Sequence, residues 1–172
     1  MSNDDIFIVR DLQHFASITD SIKSQNLHYQ NVILEQGIME ANYHISRQLQ
    51  LGLGAKLFYM KRLRIVEGHP RSIETNYINY QLVEGLETMD FSNVSFYDVV
   101  LQKKGYRTIR SEEEILVVEA KDDECQLLQM PKGSEILLIK GVTYKAENDL
   151  PFEYFELVCD PSFYRFRSVM KI

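Results

Sequence analysis

The chain has 172 residues, of which 45% are hydrophobic and 26% are charged, and its formal net charge is −6. A chain of this length is expected to form one compact domain, and its acidic balance argues against direct binding of the DNA phosphate backbone by this segment. We expect a cytoplasmic protein without membrane attachment, because no apolar run approaches the roughly 20 residues of a membrane helix and the N-terminus lacks the basic start and apolar core of a secretory signal.

The first predicted element is a short helix. Ser17 or Thr19 can serve as its N-cap, Ile18 and Ile22 have helical spacing, and Asn26 interrupts the pattern.

The first half of the chain continues with two strands separated by a second helix. Residues 29–40 are rich in β-forming side chains, and residues 42–51 place their apolar side chains on one helical face before a glycine-containing turn. A strand over residues 56–67 reaches Gly68-His-Pro and returns over residues 71–78, which predicts a hairpin.

The second half repeats this order of elements. Ser95 opens a predicted helix and Gly105 suits its C-cap. The remaining elements are a strand over residues 106–120, a helix over 122–128, and a hairpin formed by 135–145 and 151–159. Because hairpins dominate and no repeated βαβ unit occurs, we predict an α+β fold with a mostly antiparallel sheet, flanking short helices and a hint of internal pseudo-symmetry.

The cysteine and histidine content argues against metal chemistry. Cys125 and Cys159 are the two cysteines, and the four histidines are scattered without the spacing of a zinc site. We therefore expect no metal and no other cofactor. Two idle thiols are favoured over a single disulfide, which the sequence leaves open.

The order of these elements resembles that of the UTRA domain, which follows the winged helix-turn-helix in the HutC branch of the GntR-type bacterial transcription repressors. The resemblance covers nearly the whole chain and rests on these segments: Leu49 to Gly54, Lys61-Arg-Leu-Arg, Glu67-Gly-His-Pro, Glu74-Thr-Asn-Tyr-Ile, Ser95-Phe-Tyr, Gly105, Glu119-Ala, Leu127-Leu, Gly133, Thr143-Tyr, Leu150-Pro-Phe-Glu-Tyr and Tyr164-Arg-Phe. It implies a chorismate-lyase-like fold, one effector-binding domain over residues 1–172, and a homodimer. DNA would be bound only through a winged helix-turn-helix domain that this chain lacks, and a small-molecule effector would control that binding.

The resemblance also implies which residues bind the effector. In relatives that respond to phosphorylated sugars, hydroxyl, arginine and glutamate side chains line the pocket, so the expected effector is a small anion with a sugar phosphate as first choice. The corresponding positions here are Ser17, Thr19, Arg62, Arg64, Glu74, Ser95, Tyr97 and Glu153.

The arginine pair is the sharpest local signal in the sequence itself. Arg62 and Arg64 are two residues apart on a predicted strand, so both side chains leave from one face and can bind a phosphate or carboxylate bidentately. With the turn at residues 68–70, Arg64 is expected opposite Glu74, which can orient it or bind ligand hydroxyls. The alternatives are a solvent-facing arginine pair and an ordinary cross-strand ion pair.

The other candidate residues also have two interpretations. Ser95 can bind an anion at a helix N-terminus or act as a plain N-cap, and the same choice applies to Ser17 and Thr19. Glu153 is expected on one face with Pro151 and Phe155 among apolar neighbours, where it contacts a ligand hydroxyl or amino group or is simply a strand-edge charge.

Three functions are therefore open, with a ligand-sensing regulatory module first. An enzyme like chorismate lyase is the second, but the sequence contains no catalytic constellation that supports it, so we expect no enzymatic activity. The third is a dimerisation module without ligand, in which Arg62 and Arg64 merely pair with Glu74.

Overall fold

The computed structural model describes residues 6–171 and contains eight strands and five helices over that range. The strands are β1 (Ile8–Asp11), β2 (Tyr29–Glu40), β3 (Lys56–Val66), β4 (His69–Asn79), β5 (Thr108–Glu119), β6 (Glu135–Lys145), β7 (Pro151–Cys159) and β8 (Tyr164–Arg167). The helices are α1 (Ile18–Ser24), α2 (Tyr43–Leu49), α3 (Tyr80–Val83), α4 (Phe96–Lys104) and α5 (Asp122–Leu128). Strands β1 and β8 and the one-turn helix α3 were not predicted from the sequence.

Six strands form an antiparallel sheet in the order β2-β3-β4-β7-β6-β5. Both predicted hairpins are present as β3–β4 and β6–β7, and β4 and β7 meet at the centre of the sheet. The two remaining strands, β1 and β8, form a separate parallel pair. The predicted α+β class with a mostly antiparallel sheet is confirmed.

Within residues 6–171, no helix has both the length and the apolarity required to cross a bilayer.

The two halves of the sheet are built from one repeated unit. The strand, helix and strand that begin at Tyr29, Tyr43 and Lys56 recur at Thr108, Asp122 and Glu135, a constant offset of 79 residues (108 − 29, 122 − 43, 135 − 56). The pairing of β4 with β7 joins the two units at the middle of the sheet. At the same offset, Glu74 of β4 corresponds to Glu153 of β7.

The first hairpin has a different register from the predicted one. Its turn is the two-residue step Glu67–Gly68, with both residues in the left-handed region at φ 50° and 78°, a turn geometry that fits the twist of paired strands. A bulge between Arg64 and Ile65 then shifts the pairing of β3 with β4 by one residue. The expected register, with Arg64 directly opposite Glu74, is therefore wrong, because Arg62 lies opposite Glu74 and Arg64 lies opposite Ser72.

The two faces of the sheet carry different cores. Helices α2 and α5 cover one face through apolar clusters that include Leu49 and Leu128. On the other face, α1 packs in a cluster with Ile22, and α3 and α4 pack in an aromatic cluster around Phe96. Polar side chains occupy the sheet between the α1 and α4 clusters, where the N-termini of both helices are directed toward the same cavity.

Candidate functional site

A cavity lies between the sheet and the N-terminal ends of α1 and α4. Seven of the eight residues expected at the binding site line it, and Glu153 is the exception. The cavity is lined by Arg10, Phe15, Ala16, Ser17, Ile18, Thr19, Arg62, Arg64, Glu74, Ser95, Phe96, Tyr97, Glu113, Phe155 and Leu157. Residues more than 140 positions apart in the sequence therefore meet at one site.

The floor of the cavity holds two arginines that share one carboxylate. Nη2 of Arg62 lies 2.7 Å from Oε2 of Glu74, and Nη2 of Arg64 lies 3.0 Å from the same oxygen. The second terminal nitrogen of Arg64, Nη1, donates to the Thr19 hydroxyl at 3.1 Å. Arg62 and Arg64 are only 4% and 2% exposed, so a solvent-facing arginine pair is wrong.

The charge of this cluster is unbalanced. Burial alone would raise the pKa of Glu74, but the positive charges of Arg62 and Arg64 outweigh burial and lower the pKa to about 2. Glu74 is therefore ionised at neutral pH and offsets one of the two guanidinium charges. The Nε atoms of both arginines are buried without a hydrogen-bond partner. Buried positive charge in excess favours an anionic partner.

Both serines expected at the site are N-caps. The Ser17 hydroxyl accepts from the Asp20 amide at 3.1 Å, and the Asp20 carboxylate accepts from the Ser17 amide at 3.3 Å, forming a capping box. Ser95 caps the nine-residue helix α4, where its hydroxyl accepts from the Asp98 amide at 3.4 Å. Capping and cavity lining coexist in both residues, and the long Ser95 bond leaves its hydroxyl less committed than that of Ser17.

Glu153 lies behind the cavity wall, beneath Tyr97. It is 0% exposed, and the Tyr97 hydroxyl donates a hydrogen bond to its carboxyl group. Asn76 Nδ2 donates to the other carboxyl oxygen at 2.6 Å, and the Thr143 hydroxyl donates at 3.3 Å. Its surroundings are thus more polar than the apolar neighbours expected from the strand pattern. Burial raises the pKa of Glu153 to about 7, so at neutral pH this residue is partly protonated.

Eight of the cavity-lining residues were not among the predicted site residues, and three of these eight come from segments that the sequence did not connect with the site. Arg10 and Phe15 enter the cavity from β1 and the loop that follows it, and Glu113 enters from β5. The Phe15 ring meets the Tyr97 ring edge to face at 5.9 Å, and Nη2 of Arg10 lies 3.0 Å from Oε1 of Glu113. No local sequence pattern marks them, because each reaches the site through pairings between distant segments.

The two cysteines are unpaired and buried on different clusters, and burial raises the pKa of the Cys159 thiol well above its usual value. The structure agrees with the favoured interpretation of two buried thiols rather than a disulfide. Among residues 6–171 there is no group of three histidine, cysteine, aspartate or glutamate side chains placed to hold a metal ion.

Comparison with known families gives a direct match. The sequence model of the family described as the UTRA domain matches residues 24–165, which is most of the chain. The chain belongs to the UTRA domain family. The matched range includes the arginine pair, Glu74 and Glu153 but begins after Ser17 and Thr19.

Individual relatives agree with this family. This chain is 25% identical over 159 residues to the HTH-type transcriptional repressor NagR of Bacillus subtilis, and the match covers 92% of the chain. The chain spans 65% of the length of NagR. It is also 23% identical over 139 residues to the probable transcriptional regulator PhnF of Escherichia coli, covering 81% of this chain and 57% of that protein.

Solved structures have the same fold. The effector domain of PhnF from Mycobacterium smegmatis superposes with a TM-score of 0.87 at 21% identity, over 96% of this chain and 100% of that one. A GntR-family transcriptional regulator from Enterococcus faecalis gives a TM-score of 0.73 at 28% identity, over 82% and 99% of the two chains. The chorismate-lyase-like α+β fold implied by the resemblance is confirmed.

Proposed function

We propose that this UTRA domain is the effector-sensing module of a GntR-type transcription repressor of the HutC branch, and that its cavity binds a small anion, with a phosphorylated sugar as first choice. The observation that carries the proposal is the buried pair Arg62 and Arg64 sharing the single carboxylate of Glu74. An anion in the cavity would balance the second guanidinium charge.

The chemistry of the cavity supports a phosphorylated ligand. Guanidinium groups bind phosphate in a forked geometry, and the N-terminal end of the nine-residue α4 at Ser95 adds backbone N–H groups and a favourable dipole. The Thr19 hydroxyl accepts a hydrogen bond from Arg64 and can still donate one to a hydroxyl of a sugar.

The relatives support a regulatory role and argue against an enzyme. NagR is an HTH-type transcriptional repressor and PhnF is a probable transcriptional regulator. In our proposal the present chain senses the effector in the cytoplasm, and a winged helix-turn-helix domain outside residues 1–172 binds DNA. Effector binding needs to favour one arrangement of the two domains by only about 1–3 kcal/mol to produce a useful response.

We also propose that the domain forms a homodimer. Strand β5 is an edge of the six-stranded sheet and exposes apolar side chains, with Ile109 52% and Val117 63% accessible. Apolar side chains on a free strand edge favour association with a second copy. Sedimentation velocity of the purified chain tests this directly: a monomer at micromolar concentration would contradict it, and a dimer weakened by Val117→Lys would support it.

The ligand proposal is tested by calorimetric titration with glucose 6-phosphate, inorganic phosphate and glucose. We expect the phosphorylated compounds to bind wild-type protein, Arg64→Gln to lose that binding, and Arg47→Gln, an exposed position on α2 across the sheet, to retain it. Ser95→Ala provides a second cavity variant that leaves the ion-pair cluster intact.

Two other outcomes identify the competing functions. A module without ligand predicts that no anion binds wild-type protein and that Arg64→Gln lowers only the melting temperature. An enzyme like chorismate lyase predicts pyruvate release from chorismate, and absence of release over long incubation excludes that activity.

A further inference from the structure

Arg10 is a third arginine at the cavity, and it lies on a segment outside the six-stranded sheet that is anchored at one end by the fully buried Ile8. Its strand β1 pairs with β8 alone and stands outside the six-stranded sheet. Residues 8–16, here named the strap, then pass along the cavity wall, which they line with Arg10, Phe15 and Ala16.

Two side-chain contacts connect the strap to the walls of the cavity. Arg10 Nη2 lies 3.0 Å from Glu113 Oε1, and the two side chains are 13% and 15% exposed. Phe15 packs on the ring of Tyr97. Both contacts are made with residues that themselves line the cavity, so a ligand there would meet the strap and its attachment points together.

The surroundings of this ion pair allow Arg10 to change partner. Glu113 also accepts a hydrogen bond from the Ser111 hydroxyl at 3.1 Å, so its carboxylate keeps a donor if Arg10 leaves. Arg10 lines the same cavity as the buried pair Arg62 and Arg64, so a ligand in that cavity can contact all three guanidinium groups. An anionic ligand would compete with Glu113 for Arg10.

We propose that Arg10 is a ligand-binding residue that exchanges its ion pair with Glu113 for the anionic ligand when one enters the cavity. This inference rests on the anion-binding function proposed above. The exchange replaces an ion pair between the strap and β5 with an ion pair between the strap and the ligand. The position of β1 therefore depends on whether a ligand occupies the cavity.

A double-mutant cycle tests this proposal with inorganic phosphate as the probe, titrated into the full chain. Glu113→Gln removes the carboxylate that competes with phosphate for Arg10. We therefore expect phosphate to bind about two- to fivefold more tightly, which corresponds to the free energy of a partly exposed ion pair. Arg10→Gln is expected to bind phosphate roughly tenfold more weakly, as for loss of a charge-assisted hydrogen bond.

The control for net charge is Glu114→Gln, at the next position of β5, whose carboxylate pairs with Lys140 and does not line the cavity. It should leave phosphate affinity unchanged. In the Arg10→Gln background, Glu113→Gln should no longer increase affinity, because there is no guanidinium to release.

The outcomes separate the two proposals. If Arg64→Gln abolishes phosphate binding but Arg10→Gln and Glu113→Gln bind like wild type, the role of Arg10 is refuted and the anion site stands. The role of Arg10 is also refuted if Glu113→Gln still increases affinity without Arg10, since the gain is then general electrostatics. If wild type does not bind phosphate, the anion site and the role of Arg10 both fail.

Discussion

Replacing Glu153 with glutamine removes a buried carboxyl group whose pKa is raised by burial from an ordinary 4.5 to about 7. In the unfolded chain this group loses its proton near pH 4.5, whereas the folded domain holds the proton up to about pH 7. The folded state therefore binds more protons than the unfolded state between these values, and the free energy of unfolding falls as the pH rises through that window.

The size of the effect follows from the same two values. The difference between 4.5 and about 7 corresponds to a penalty of about 3 kcal/mol, fully present above pH 7. Glutamine keeps the shape of the side chain and carries no charge. Its amide can be accommodated because Asn76 Oδ1 is buried without a partner and becomes an acceptor if the Asn76 amide turns over.

Urea unfolding at pH 5 and pH 8 measures this penalty. Between these pH values, we expect wild type to lose roughly 2 to 3 kcal/mol more stability than Glu153→Gln, so the variant is the more stable protein at pH 8. Glu135→Gln, which removes an exposed carboxylate from β6, is the matched control and should follow wild type. Parallel pH profiles for wild type and Glu153→Gln would refute the reasoning.

Three further substitutions test other parts of the structure by thermal and urea unfolding. Glu74→Gln leaves the two buried arginines without their carboxylate and should lower the free energy of unfolding by about 3–5 kcal/mol. Because the pKa of Glu74 is held at about 2, this loss of stability should be complete above pH 4.5 and should shrink only as the pH falls toward 2. Gly141→Ala places a Cβ 2.3 Å from the backbone oxygen of Glu112 and should cost about 1–3 kcal/mol by displacing β5, so unchanged stability would contradict the close packing. Ser17→Ala removes a capping box and should cost about 1 kcal/mol, whereas no loss would mean that the cap is dispensable.

Elements with local signals were predictable from the sequence. Helix α4 begins after its N-cap Ser95 and ends at Gly105, which adopts the left-handed conformation at φ 74° as expected for a C-cap glycine. Helix α2 ends earlier than expected because Gln50, at φ 54°, adopts that conformation before either glycine of the following turn. A left-handed glutamine gives no sequence signal.

Features that depend on pairing between distant residues were not predictable. Strand β1 is four residues long and pairs with a segment near the other end of the chain, so Arg10 gave no sign of reaching the cavity. The register of the first hairpin depends on the two-residue turn and the bulge beside Arg64, and neither follows from residue types alone. Strand alternation correctly placed Glu153 on the face of Phe155, but it could not show that Tyr97 lies between that carboxyl group and the cavity.

The central claim is that the cavity binds a small phosphorylated anion through its buried arginines. A thermal-shift series with sugar phosphates, the matching free sugars and inorganic phosphate tests it most directly, since a ligand at 100 times its dissociation constant adds about 2.7 kcal/mol. We predict stabilisation by at least one phosphorylated sugar, none by its free sugar, and loss of the shift in Arg64→Gln. Equal stabilisation by the free sugar, or a shift that persists in Arg64→Gln, would contradict the claim.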